Sequence, residues 1–314
     1  MKTINQNAAL LKKYGNRKST FKSHMLAPYI FISPFIISFL VFGLYPLGYS
    51  ITMSFWKWTT NGPQDFIGFK NYTRLLTTDP FFIRTLWTSF ILMITGSGLQ
   101  HVFAIPLAIF LNDHKIKGKD VFQLTYFLPY ITSTVSIVLI FAQLYDENYG
   151  WLNYILENWL HLKPIHWLTS PVGIKSSIAI MLNWRFIGWN TLIYVAGLQS
   201  IDRSLYEAAE IDGANKFQQA MKITLPLLKP IIFFTLTLSI IGGFQVFDEP
   251  FVLLGGFTKL GGPQNAGLTT AFYLMATGFE FGRLGKGSAI AWLMFLVIIV
   301  LNIIHKKIGH NEKN

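Results

Sequence analysis

Asn183, Arg185 and Asn190 stand within one largely apolar stretch of this chain, interleaved with Trp184, Trp189 and Tyr194. Farther on, Gln245 and Asp248 lie three residues apart, and so share a face if that segment is helical. Glu249, Phe244 and Phe247 flank them. Polar groups inside apolar stretches are costly and mark functional positions by default. Aromatic faces that stack on the C–H faces of a sugar, with amides and carboxylates for its hydroxyls, are one chemistry this set fits. Asn183, Trp189, Asn190, Tyr194, Gln245 and Asp248 are therefore the candidate substrate-pathway residues. The same residue types also serve helix–helix hydrogen bonds and interfacial snorkelling.

Other chemistries find less support. Nucleotide hydrolysis needs a glycine-rich loop ending in Gly-Lys-Ser/Thr. The nearest string, "GRLGKGS" around Gly285 and Lys286, has Gly287 where Ser or Thr is required. The seven histidines show no His-Glu-x-x-His spacing, so no metal site is expected. His101, next to Gln100 in an apolar stretch, reads better as an interhelical hydrogen-bond group than as a ligand. With no cysteine there is neither a disulfide framework nor a thiolate nucleophile. No catalytic residues are expected, and a membrane-embedded hydrolase has nothing in its favour.

The elements that must position these residues are long and greasy. The 314 residues are 52% hydrophobic and 13% charged, roughly half the ~25% charge of a soluble domain. Six stretches approach the ~20 apolar residues a bilayer crossing requires. They run from Tyr29 to Ile51, Leu86 to Leu111, Phe122 to Leu144, Ile174 to Leu198, Pro230 to Phe247, and Ala289 to Ile308. Backbone groups in lipid must be satisfied within the segment, so these spans are expected to be helices. Pro34, Pro46, Pro106 and Pro129 then mark kinks or span ends. The first span is too long, and lacks the cleavage site, for a signal peptide.

The net charge of +11 is spread along the chain and does not suggest nucleic acid. Lys and Arg crowd the N-terminal segment, residues 115–119, residues 203–229 and the C-terminal end. Because Lys and Arg favour the cytoplasmic side, both termini are expected inside a multi-pass cell membrane protein.

One polar passage breaks the pattern: "EAAEIDGANKFQQAMKITLP", residues 207–226. Locally it reads as two short helices. Ser204 with Glu207 makes one capping-box pattern, and Asn215 with Gln218 a second. Asp212-Gly213 is a stop between them, and Pro226 and Pro230 end the second helix and open the next span. Phe217, Ala220, Met221, Ile223 and Leu225 fall roughly on one face. A helix this short must pack on something, either its own spans or a partner.

Glu207-Ala208-Ala209, Gly213, Ile223 and Leu225-Pro226 resemble the EAA signature of permease subunits of binding-protein-dependent ABC importers, with the family's spacing. "FIGFKNY", "FQVFDEPFVLL" and "GKGSAIAWLMF" are similar to the carbohydrate branch, so the resemblance covers nearly all of the chain after its basic tail. It implies an all-α integral membrane helical bundle of six transmembrane helices, the type I ABC importer permease fold. The implied division is a basic cytoplasmic tail (1–28), a first span with its external loop (29–85), a five-helix importer core (86–308) containing the coupling loop 204–226, and a C-terminal tail (309–314). It further implies that Glu207, Ala208, Ala209, Asp212, Gly213, Ile223, Leu225 and Pro226 couple the chain to an ATPase. The implied partners are a second permease subunit, so that the pair is a heterodimer, two cytoplasmic ATPase subunits, an extracellular solute-binding protein, membrane lipid and a sugar. ATP would be bound by the partners, with no cofactor in this chain, in a bacterial cytoplasmic membrane. A permease for another solute and a secondary transporter are the competing readings. The latter would need ion-coupling carboxylates and an internal repeat, which are not evident.

Overall fold

The computed structural model describes residues 17–113 and 116–311, so Lys2, Lys12, Lys13, Lys115 and Lys313 of the charge pattern lie outside the described residues. The chain divides into two compact units, residues 1–53 and 54–314. In the first unit, helix α1 (Arg17–Phe39) runs through a wide π turn (Leu40–Leu44) into α2 (Tyr45–Ser54). Pro34 lies inside α1, and Pro46 opens the first turn of α2. Phe31, Phe35 and Phe42 are all exposed, as an all-round apolar helix in lipid requires.

The second unit opens with a feature outside the all-helical expectation. Strands β1 (Trp56–Thr59) and β2 (Gly62–Phe66) form an antiparallel hairpin that turns at Thr60 and Asn61. Then come α3 (Lys70–Thr77), α4 (Phe82–Leu92), a π turn (Met93–Gly98) and α5 (Gln100–Asn112). The pair α4–α5 makes one helical segment, Phe82–Asn112, long and apolar enough to cross a membrane.

The third expected span is broken. Helices α6 (Lys119–Ile131) and α7 (Thr134–Leu144) meet at 94°. Pro129 removes an amide near the end of α6, and Thr132 and Ser133 are extended, so the chain turns there. Helix α8 (Trp151–Asn158) precedes the long α9 (Pro171–Gln199), whose Ser170 side chain accepts from the Gly173 amide. Helices α10 (Arg203–Ile211) and α11 (Lys216–Gln219) follow. A π turn (Ala220–Thr224) then joins α11 to α12 (Leu225–Phe244), so Pro226 and Pro230 do not separate the polar loop from the span. Pro226 falls in the first turn of α12, next to the wide π turn, while Pro230 lies inside the helix and removes one of its amide donors. The chain closes with α13 (Asp248–Leu253), α14 (Thr270–Met275), a π turn (Ala276–Glu280) and α15 (Leu284–Asn311).

Four helical segments are long and apolar enough to cross a bilayer, or five if the bent α6–α7 pair is one crossing. Helix α9 is long enough at 29 residues but too polar to be counted by composition. It is nevertheless central to the packing: Ile174 and Ile178 join α7 and α13 in one buried cluster, while Tyr194 and Val195 join α5 and Leu228 of α12 in another. A third cluster links Leu75 and Phe82 to Phe272 and Ile290.

Close backbone approach of this kind is the usual basis of helix association in lipid. At Gly188 of α9, an added methyl would overlap the Tyr126 carbonyl of α6. Gly188→Ala is therefore expected to lower the melting temperature of the detergent-solubilised chain by several degrees, since overpacking costs about 1–3 kcal/mol. Gly242→Ala, where nothing lies within 4 Å, is the control and should melt like the parent.

Candidate functional site

The polar loop is built by caps. Asp202, not Ser204, caps α10: its carboxylate accepts from the Ser204 amide at 2.9 Å, and that bond holds the acid below the usual carboxylate range. Ser204 and Glu207 thus fall inside the helix, two positions further along than a Ser204 cap would place them. Glu207 instead pairs with Arg203 one turn back, at 3.2 Å. Asp212 ends α10, and Gly213 takes φ +77, the left-handed conformation that glycine adopts without steric cost. The Asn215–Gln218 capping box is present in both directions at 2.9 Å, and Lys216 closes the turn onto Glu210 at 2.8 Å.

This loop is anchored on one side only. Tyr206 meets Thr224 at 2.9 Å, and Gln219 and Thr224 are buried. The other side carries Ile211 at 88% and Phe217 at 73% exposure, together with the exposed Glu207 and Ala208. Ala209 and Leu225 are half-buried, Ile223 likewise, and Pro226 is exposed. The apolar face of the second helix is therefore divided, with Phe217 and Met221 left uncovered within this chain.

A cavity of about 300 Å³ opens between α5, α6, α9 and the α12–α13 corner. Of the candidate pathway residues, Trp189, Asn190, Gln245 and Asp248 line it, while Asn183 and Tyr194 do not. Trp189 stacks on Tyr130 with ring centroids 4.6 Å apart and planes 17° from parallel, forming an aromatic wall. Asn190 is buried, with its amide donating to the Phe186 carbonyl at 3.3 Å. Gln245 and Asp248 are exposed to the cavity but do not share a helix. Gln245 caps the end of α12 and Asp248 begins α13, so a corner unites them. Two acids at the start of a helix suit its positive end, which favours breaking the helix there.

Asn183 donates to the Thr95 and Ala179 carbonyls, both at 2.7 Å, bridging two helices. Tyr194 is fully buried, and its hydroxyl meets His101 Nδ1 and Thr235 at 2.7 Å. His101 Nε2 meets Ser239, also at 2.7 Å, so His101 is the interhelical group its position suggested.

Two arrangements are not visible from spacing. Arg185 donates to Glu249 at 2.8 Å across 64 residues, in the cavity wall, with both side chains largely buried. Lys286, from the string closest to a phosphate loop, instead donates to Asp79 at 2.5 Å and to the Tyr273 hydroxyl at 3.0 Å. Charged residues in apolar flanks were the available signal in both cases; the partners were not. No cluster of metal-ligating side chains occurs among the described residues.

A multi-pass helical bundle with an aromatic and amide cavity and a one-sided polar loop defines a membrane permease. The chain belongs to the family of inner membrane components of binding-protein-dependent transport systems, whose pattern matches residues 102–310. Its members are the non-catalytic membrane subunits of ABC transporters. The chain is 37% identical to the arabinooligosaccharides transport system permease protein AraP of Bacillus subtilis over 96% of this chain and 94% of that protein. It is 34% identical to the trehalose/maltose transport system permease protein MalF of Thermococcus litoralis over 91% and 94% of the two. The crystal structure of a bacterial ABC transporter importing the acidic polysaccharide alginate contains a chain of similar fold. Its TM-score is 0.76 at 25% identity, with 94% of this chain and 98% of that one covered.

Proposed function

We propose that this chain is the permease subunit through which an ABC importer moves a sugar or oligosaccharide by alternating access, with both termini in the cytoplasm. Relatives named for arabinooligosaccharide, trehalose/maltose and lactose transport support the sugar class. The observation that carries the reading is the polar loop: it leaves Ile211 and Phe217 bare in a chain with no phosphate loop of its own. Glu207, Ala208, Ala209, Asp212 and Gly213 form its docking edge for an ATPase subunit. Ile223, Leu225 and Pro226 continue that edge into α12. ATP binding closes the ATPase pair, and the loop passes the movement to the spans.

In the cavity, Trp189 with Tyr130 offers a stacking wall, and Asn190, Gln245 and Asp248 offer hydrogen bonds to hydroxyls. Asn183 and Tyr194 hold the helices that shape the cavity. A second permease chain completes the pathway, two ATPase subunits supply ATP, and an external solute-binding protein delivers the cargo.

The test is uptake into proteoliposomes carrying the assembled transporter. Radiolabelled arabino-oligosaccharide or maltose should accumulate only with ATP inside the ATPase compartment and with binding protein present. Accumulation of an amino acid or phosphate, and of no saccharide, would remove the sugar assignment.

A further inference from the structure

On the hairpin side of the second unit lies a larger cleft, of about 480 Å³, that the transport pathway does not use. Trp56 and Trp58 of β1 form one wall, and Lys57, Arg74 and Arg283 stand around it. Its geometry is fixed. Asn71 donates to the Ser54 and Trp56 carbonyls at 2.8 and 3.1 Å, joining α3 to the hairpin. The Thr60 amide donates to the Gly282 carbonyl at 3.2 Å, placing Arg283 opposite β1.

The floor is electrically closed. Asp79 accepts from Lys286, from the Tyr273 hydroxyl at 2.8 Å, and from the Phe81 and Phe82 amides. Burial pushes this carboxyl up, but those hydrogen bonds outweigh it and hold the acid below its usual range. Asp79 therefore cancels Lys286 and has no charge left for the rim. Lys57, Arg74 and Arg283 are exposed and have no ion-pair partner among the described residues. The cleft thus presents three uncompensated cations beside two indole rings.

We propose that this cleft is a docking site for an acidic segment of the external solute-binding protein, with Arg74 and Arg283 receiving its carboxylates and Trp56 and Trp58 its apolar flank. Tryptophan and arginine are the side chains that dominate protein interfaces, and a single-sign rim speeds encounter with an oppositely charged partner. The inference rests on the reading of the chain as a binding-protein-dependent importer with the hairpin outside.

The experiment uses the assembled transporter in nanodiscs, as the parent and as Arg74→Glu/Arg283→Glu. Arg74→Gln/Arg283→Gln serves in its place if charge reversal impairs assembly. Capture of the cognate binding protein is followed at low salt and at about 0.5 M salt, where exposed charges are screened. The variant should associate about tenfold or more slowly and lose most of the parent's salt dependence, while a polyglutamate peptide competes with the parent only. ATPase association should be unchanged. Parental association rates and salt dependence in the variant would overturn the assignment. So would displacement of the binding protein by trigalacturonate but not by the peptide, which would make the cleft a sugar-acid site. If the parent captures no binding protein at either salt, the importer reading itself falls, a result separable from failure of the cleft alone.

Discussion

Replacing Gly213 by valine is expected to leave the chain inserted and folded while cutting ATP-driven uptake by an order of magnitude or more. Gly213 has φ +77, and nothing lies within 4 Å of where a side chain would begin. The effect is therefore conformational and not a clash. Placing a residue with a Cβ in the left-handed region costs about 1–2 kcal/mol, most for a β-branched one. That strain shifts the loop's population by about 5- to 30-fold toward other geometries. Gly213→Asn provides the discriminating control, because asparagine tolerates the left-handed region. It should retain most uptake and most co-purification of the ATPase, whereas the valine variant loses both. Equal uptake in the parent and the valine variant would end the docking role of the α10–α11 turn.

Arg185→Met is expected to be the most destabilising single change at the cavity. Glu249 would remain buried in the wall without its 2.8 Å partner. Leaving one charge of a buried pair uncompensated typically costs about 3–5 kcal/mol, although the intact pair itself contributes little. Arg185→Met/Glu249→Leu should therefore recover most of the stability that Arg185→Met loses, a coupling read from thermal unfolding in detergent. Additive losses in the double variant would mean that the two side chains do not act as a pair. Uptake should fall in both variants, since the α9–α13 wall would no longer be held at its present spacing.

The sequence disclosed what depends on neighbours within a turn or two. The Asn215–Gln218 box follows from side chains bonding amides three residues away, and the Asp212-Gly213 stop from the left-handed conformation that glycine adopts freely. Apolar length located α4–α5, α12 and α15 because lipid imposes a minimum run. At the start of α10, two residues compatible with a cap compete, and Asp202 captures the Ser204 amide. Spacing alone does not rank them. The break between α6 and α7 falls three residues beyond Pro129, where the extended Thr132 and Ser133 redirect an otherwise apolar run. Tyr194 and Trp189 have the same composition cue and opposite fates: one hydroxyl is taken by His101 and Thr235, and the other ring lines the cavity. Only the positions of distant helices decide between them, as they do for Arg185 with Glu249 and Asp79 with Lys286.

The π turns have a consequence for how this chain can change length. Each holds one residue more than the α-helical count, and every position beyond it is rotated by about 100°. The turn at Met93–Gly98 sets the phase that brings Ser97 and Gln100 to the cavity. The turn at Ala220–Thr224 sets the phase between the polar loop and the far end of α12, where Ser239 and Gln245 stand. Within 220–224 the residue count therefore matters more than residue identity. Substitutions at the exposed Met221 and Lys222 alter a surface, whereas deleting one residue would rewind the wide turn and dial the cavity-facing end of α12 about 100° away from its lining.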